Sequence, residues 1–134
     1  MTKRTEKARQ IVQLCDDLLR VERGKLAKLI RHKDQLQHDR QRIAELIDGA
    51  QLMNSRLMEI GVSRLSWIDR QLHRLELQID TQREMVNDAA VRGKAAEASL
   101  RSAREREELD KRRTYEIEMS ESVAWDWSDK APIS

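Results

Sequence analysis

A chain of 134 residues, 37% of them charged, with only four Gly and one Pro, has the length of one domain and little material for turns; long helices are therefore the default. With 3% aromatic residues and no Phe, a thick core of large side chains is excluded, and the periodic placement of the 39% apolar residues excludes a disordered chain. The net charge of +2 hides an uneven distribution, no apolar run approaches the roughly 20 residues of a membrane span, and the start, MTKRTEKARQ, has no apolar signal core. Cytoplasmic residence is the expectation, and the single Cys15, which has no intrachain thiol to pair with, agrees with it.

Helix 1 is predicted over about residues 4–60. Ile11, Leu14, Leu18 and Val21 form one apolar stripe, and Leu29, Leu36, Ile43, Ile47, Ala50, Met53, Leu57 and Ile60 form another, with Gly24, Lys25 and Lys28 weakening the seam between them. The spacing passes through Gly49 without a break and stops at Gly61. A glycine directly after the last periodic residue is the expected left-handed cap, and Ser63 can cap the next helix, so residues 61–64 are predicted as the turn.

Helix 2 is predicted over about residues 65–117. Steps of three and four residues from Leu65 meet Ile68, Leu72, Leu75, Ile79, Gln82, Val86 and Ala89, then Gly93, Ala96, Leu100, Ala103, Glu107, Asp110, Thr114 and Ile117. This is a heptad seam, small in the middle and polar late, on a helix of roughly 80 Å. The fold class is therefore all-α, an antiparallel two-helix coiled coil closed as a long hairpin over residues 1–117. Folding at 61–64 pairs residues whose numbers add to roughly 120, since equal helical rises run back past each other. Ile47 then faces Leu72, Leu36 faces Gln82 to Val86, Leu18 faces Leu100, and Leu26 and Leu29 meet Ala89, Gly93 and Ala96. Gly24 comes near Gly93, so either the helices approach closely there or two helix glycines at roughly 1 kcal/mol each make a soft point, the reading that Lys25 and Lys28 favour because they do not suit a tight seam.

Residues 118–134 form an acidic C-terminal tail carrying Trp125 and Trp127 beyond the reach of helix 1. Within residues 114–134, Glu116, Glu118, Glu121, Asp126 and Asp129 stand against Lys130 alone, a net of −4, which leaves +6 on residues 1–113. At the other terminus Lys3, Arg4, Lys7 and Arg9 stand against Glu6. Two indoles on an unpaired tail have no core to enter, which fits either partner anchors or a simply disordered tail.

Chemistry is sparse. His32, His38 and His73 lack metal-ligand spacing, there is no phosphate-binding glycine loop or nucleophile elbow, and a two-helix rod offers no enclosed pocket for tuning a pKa. No enzyme, cofactor or metal site is expected. Lys111-Arg112-Arg113 follows Glu105, Glu107, Glu108 and Asp110, which makes it part of a mixed solvated face rather than a nucleic-acid site. Cys15 is expected as a half-buried small apolar residue.

A basic N-terminal helix, Gly-Val-Ser-Arg near the middle, and a longer heptad helix opening with LSWIDRQLHRLELQIDTQREMV and closing with REREELDKRRTYEIE resemble the FliJ/YscO family of type III protein export over roughly residues 5–120. The resemblance implies a small cytoplasmic antiparallel coiled coil at the base of a bacterial export apparatus, flagellar or injectisome. Such a protein enters the pore of the hexameric export ATPase as a central stalk, bridges it to the membrane export gate, and handles substrate-free chaperones. It touches the membrane only through partners. On this resemblance the gate-facing residues correspond to Ile43 and Leu46 on helix 1 and Leu75 on helix 2. The ATPase contact is expected at the open end of the hairpin, where Lys3, Arg4, Lys7 and Arg9 meet Arg112 and Arg113, because a ring lumen can bind exposed charge without fully desolvating it. Two other readings fit the same residues: an export chaperone that binds one secreted substrate, and a structural coiled coil with no export role.

Overall fold

The computed structural model describes residues 2–50 and 55–130. Two helices account for them, α1 (Lys3–Ala50) and α2 (Ser55–Lys130), and there is no strand among the described residues. Thr2 starts α1 as its cap: its Oγ1 accepts the Thr5 N–H at 3.3 Å and its carbonyl accepts the Glu6 N–H at 3.1 Å. Glu6 adds negative charge to the first turn, where the helix dipole favours it. The chain divides into two compact units, residues 16–91 and residues 1–15 with 92–134.

In the unit of residues 16–91, the α1 and α2 segments pack antiparallel as a helical hairpin. Arg40 Nε donates to Asp69 Oδ1 at 2.7 Å and Lys33 Nζ lies 3.8 Å from Glu76 Oε1, so in both pairs the residue numbers add to 109. Gln82 Nε2 donates to the Glu22 carbonyl at 3.0 Å and also reaches the Glu22 carboxylate. Leu36, Ile68 and Leu75 form the buried cluster, flanked by Leu29, Ile43 and Leu72. The expected register, adding to roughly 120, is thus corrected: Leu36 meets Ile68 and Leu75 rather than Gln82 to Val86, and Leu29 belongs to this same cluster.

The turn expected at residues 61–64 does not form there. Residues 61–64 lie inside α2, and no glycine among the described residues has positive φ. Helix 1 ends at Ala50, ten residues before the expected residue 60, and α2 already begins at Ser55; Met53 lies outside the described residues. Gly61 serves close approach, not capping. A Cβ built on it would come within 2.8 Å of Ile47 Cδ1 and 2.9 Å of Ile47 Cγ1. Gly61→Val is expected to lower stability by about 1 kcal/mol or more, because overpacking against Ile47 exceeds the small gain in helix propensity. Urea melts check this: unchanged stability would mean that Ile47 swings aside at no cost. A Cβ on Gly24 or on Gly93 would meet no atom within 4 Å, so neither glycine serves a close approach.

In the unit of residues 1–15 and 92–134, Thr5 is buried and its Oγ1 donates to Glu107 Oε2 at 2.7 Å. Ala96, Leu100 and Ala103 form the buried face of α2 there. From Glu108 to Trp127 every side chain of α2 is exposed, because α1 begins at Lys3 and no second helix flanks this stretch within the unit. Helix 2 was expected to end near residue 117; α2 instead runs to Lys130, with no Gly or Pro before Pro132 to stop it.

The α2 seam expected from the heptad spacing is the one observed, from Leu65 to Glu107. On α1 the face differs. Ile11, Leu14, Leu18 and Val21 are exposed, at 50%, 58%, 47% and 53%. The inward face runs through Thr5, Ala8, Val12 and Cys15 in one unit and through Leu19, Glu22, Leu26, Leu29, Lys33 and Leu36 in the other. Thr5, Glu22 and Lys33 hold seam positions because each has a polar partner on α2, which a purely apolar criterion passes over.

Candidate interaction site

Among the described residues no group of three or more His, Cys, Asp or Glu side chains is placed to hold a metal ion. His32, His38 and His73 are exposed, and Cys15 is half-buried on the inward face of α1. No helix among the described residues is long and apolar enough to cross a membrane. The chemically distinctive features are surfaces.

The first is a groove between the two helices in the unit of residues 1–15 and 92–134. Lys3, Arg4 and Lys7 on α1 and Arg106 on α2 rim it, and no acid lines it. Its floor is small: Ala8 on one side, Ala96, Ser99, Ser102 and Ala103 on the other. Three of the cations expected at the open end are therefore gathered around one concavity. Arg9, Arg112 and Arg113 are exposed but do not line it, while Arg106, which sequence reasoning missed, does. Its spacing could have revealed it, since Arg106 sits one position before the seam residue Glu107 and so flanks the groove.

Beside this groove lies the Thr5–Glu107 hydrogen bond. That bond holds Glu107 below the usual carboxylate range, opposed by partial desolvation and helped by Lys111, whose Nζ is 3.7 Å from Glu107 Oε1. A carboxylate with a depressed folded pKa stabilises the fold above the ordinary carboxylate range, and that contribution is lost as pH falls through the lowered value. Thr5→Val is expected to move the Glu107 titration upward, toward an ordinary glutamate, and to flatten the acid side of the stability profile. Carbon-detected NMR titration of the Glu107 carboxyl, with melts from neutral to acid pH, checks this. An unmoved Glu107 titration would remove the Thr5 hydrogen bond as the cause.

The second surface lies in the unit of residues 16–91, where α1 ends and α2 begins. Ile43, Leu46 and Ile47 from α1 and Leu57, Met58 and Ile60 from α2 line an apolar depression, with Arg64 at its edge. Leu46, Leu57 and Ile60 are exposed at 69%, 57% and 60%. Of the three residues matched to gate binding, Leu46 is free to touch a partner and Ile43 lines the depression while packing on the core cluster. Leu75 is corrected: it is buried in that cluster, so it holds the two helices together and presents nothing to a partner. Leu57 and Ile60 were expected in the helix 1 seam; on α2 they face outward. Nearby, the Arg64 guanidinium stacks 4.5 Å from the centroid of the Trp67 ring, a cation–π contact that half-covers the indole.

The third feature is the exposed end of α2. Trp125 and Trp127 are 70% and 76% exposed, on helix rather than on an irregular tail.

Comparison with family models, with curated proteins and with solved structures finds no match to this chain.

Proposed function

We propose that the protein is a stalk and adaptor of a type III export apparatus, flagellar or injectisome, working in the cytoplasm of a bacterium. The cationic groove of Lys3, Arg4, Lys7 and Arg106 serves the hexameric export ATPase. The apolar depression around Leu46, Leu57 and Ile60 serves the cytoplasmic domain of the export gate, with secretion chaperones as further partners. The observation that carries this reading is that depression: three large apolar side chains stand exposed together where the hairpin seam does not use them. The resemblance supports it through the basic start of helix 1 and the longer second helix, although Gly61-Val62-Ser63-Arg64 is helical rather than a turn.

The test is stimulation of the cognate export ATPase by added protein, together with binding to the gate domain. Reversing Lys3, Arg4 and Lys7 to Glu is expected to weaken stimulation and its salt dependence while far-UV helicity stays unchanged. Absence of both stimulation and gate binding by the unmodified protein would overturn the proposal.

The same depression also favours a second reading, an export chaperone that clasps an apolar segment of one secreted protein. Saturable binding to a single secreted substrate, with no response from the ATPase, would select it.

A further inference from the structure

From Ala95 to Trp127, α2 carries an exposed face at alternating steps of four and three residues, about a quarter turn round the helix from the buried residues Ala96, Leu100 and Ala103 and bordering the same groove. The first part of this face is small, and the last part ends in Val123 and Trp127. Between them lie Arg106 and Glu116, equally far from Lys111. The sequence of steps reads the same from either end, so the face is complementary to itself when two copies of α2 run antiparallel about a two-fold axis at Lys111. Ala95 then meets Trp127 of the other copy, Ser99 meets Val123, and Ser102 meets Ser120. Arg106 meets Glu116. Leu109 lies under the stem of Arg113, and Asp110 comes opposite Arg112. At the ends of the face a small residue meets a large one, Ala95 with Trp127 and Ser99 with Val123, and nearer the axis Arg106 with Glu116 and Asp110 with Arg112 pair opposite charges.

The charges beside this face agree. Between Thr114 and Trp127 there are four acids and no base, whereas the groove that the other copy's α2 end would enter is rimmed by Lys3, Arg4, Lys7 and Arg106. The chain cannot satisfy its own groove. α2 is continuous helix across both stretches, so Ala95 and Trp127 of one chain lie roughly 48 Å apart.

We propose that the occupant of the groove is a second copy of this chain, forming a two-fold dimer in which the acidic, tryptophan-bearing end of each α2 packs as a third helix on the partner. The dimer is the form of the free protein: it uses the same groove as the proposed ATPase contact and would be exchanged for it, and self-association measured without any ATPase tests the dimer apart from the export role. It places Trp127, now 76% exposed, over Ala95 of the other copy.

Sedimentation equilibrium at low salt is expected to show a reversible dimer, with indole emission shifting to the blue as concentration rises. Arg106→Glu and Glu116→Arg, each alone, break two symmetric pairs and are expected to weaken self-association at least about tenfold. An equimolar mixture of the two variants restores it, because both contacts of the mixed dimer then pair opposite charges. Both residues are exposed, so helicity should not change. In a Cys15→Ser background, Ser99→Cys with Val123→Cys is expected to form a disulfide between copies on mild oxidation, whereas Ser99→Cys with Met119→Cys is not. A bond within one chain is impossible, since positions 99 and 123 are roughly 36 Å apart along one helix. A protein that stays monomeric at all concentrations, or a dimer indifferent to both reversals and to mixing, would overturn the proposal.

Discussion

Ile68→Ala is expected to lower stability by about 2–5 kcal/mol, enough to unfold much of the unit of residues 16–91 at physiological temperature. Ile68 is 0% exposed, and among the described residues of that unit it is the one large apolar side chain with no access to solvent. Its neighbours Leu36 and Leu75 come from both helices, so the cavity left by the substitution cannot collapse by moving one side chain alone. A two-layer seam has no second shell of core to share the loss. The effect should appear as a lower urea midpoint and early loss of helical signal. A loss below about 1 kcal/mol would show that the helices close around the cavity, and that the seam tolerates repacking more than a shape-matched core does.

Leu46→Ser, Leu57→Ser and Ile60→Ser, combined, are expected to leave that melt nearly unchanged while cutting affinity for the gate domain, or for a secreted substrate, by tenfold or more. The side chains are mostly solvent-exposed in the free protein, so removing their apolar surface forfeits little that folding had gained. A partner, by contrast, must desolvate them, and an apolar cluster of this kind commonly supplies the centre of an interface. Calorimetry or fluorescence titration reads the affinity. Leu75→Ala is the contrasting variant: it should lose stability first and binding only as a result, because Leu75 lies in the core cluster. Binding unaffected by the triple substitution would remove the depression from the functional account.

The two kinds of residue differ in how far the amino-acid order discloses them. The α2 seam was legible because Ile68, Leu72, Leu75 and Ile79 recur without competition from any other apolar stripe, and the small residues that follow keep the same step. The α1 seam was not. There the outward residues Ile11, Leu14, Leu18 and Val21 are more apolar than the inward Thr5, Ala8, Cys15 and Glu22, so apolarity alone selects the wrong face. What decides it is the set of partners on α2, which no local pattern encodes. Gly61 misled for a related reason: a glycine at the end of an apolar run is as suitable for letting another side chain in as for turning the chain, and Ile47 supplies that side chain. The error of the turn carried the register with it; the assignment of Leu75 to a partner surface came instead from the family resemblance, although the heptad spacing already placed Leu75 in the seam. The basic start of α1 was legible from composition, whereas Arg106 joined it only through the groove.

The polar contacts across the hairpin of residues 16–91 have a mechanical consequence. Helices joined by a uniform leucine seam can slide past one another by one heptad and recover nearly equivalent packing, so such a pair creeps under axial load. Here a seven-residue slide would take Gln82 from Glu22, Lys33 from Glu76 and Arg40 from Asp69 together, stranding the half-covered Glu22 and Gln82 without their mates. The two ion pairs are themselves one heptad apart, so such a slide would bring Lys33 to Asp69 or Arg40 to Glu76, but in neither direction does Gln82 recover Glu22, and that contact is what marks the registry. A push or pull delivered to one strand of this hairpin is passed to the other as tension or compression instead of being lost to slippage.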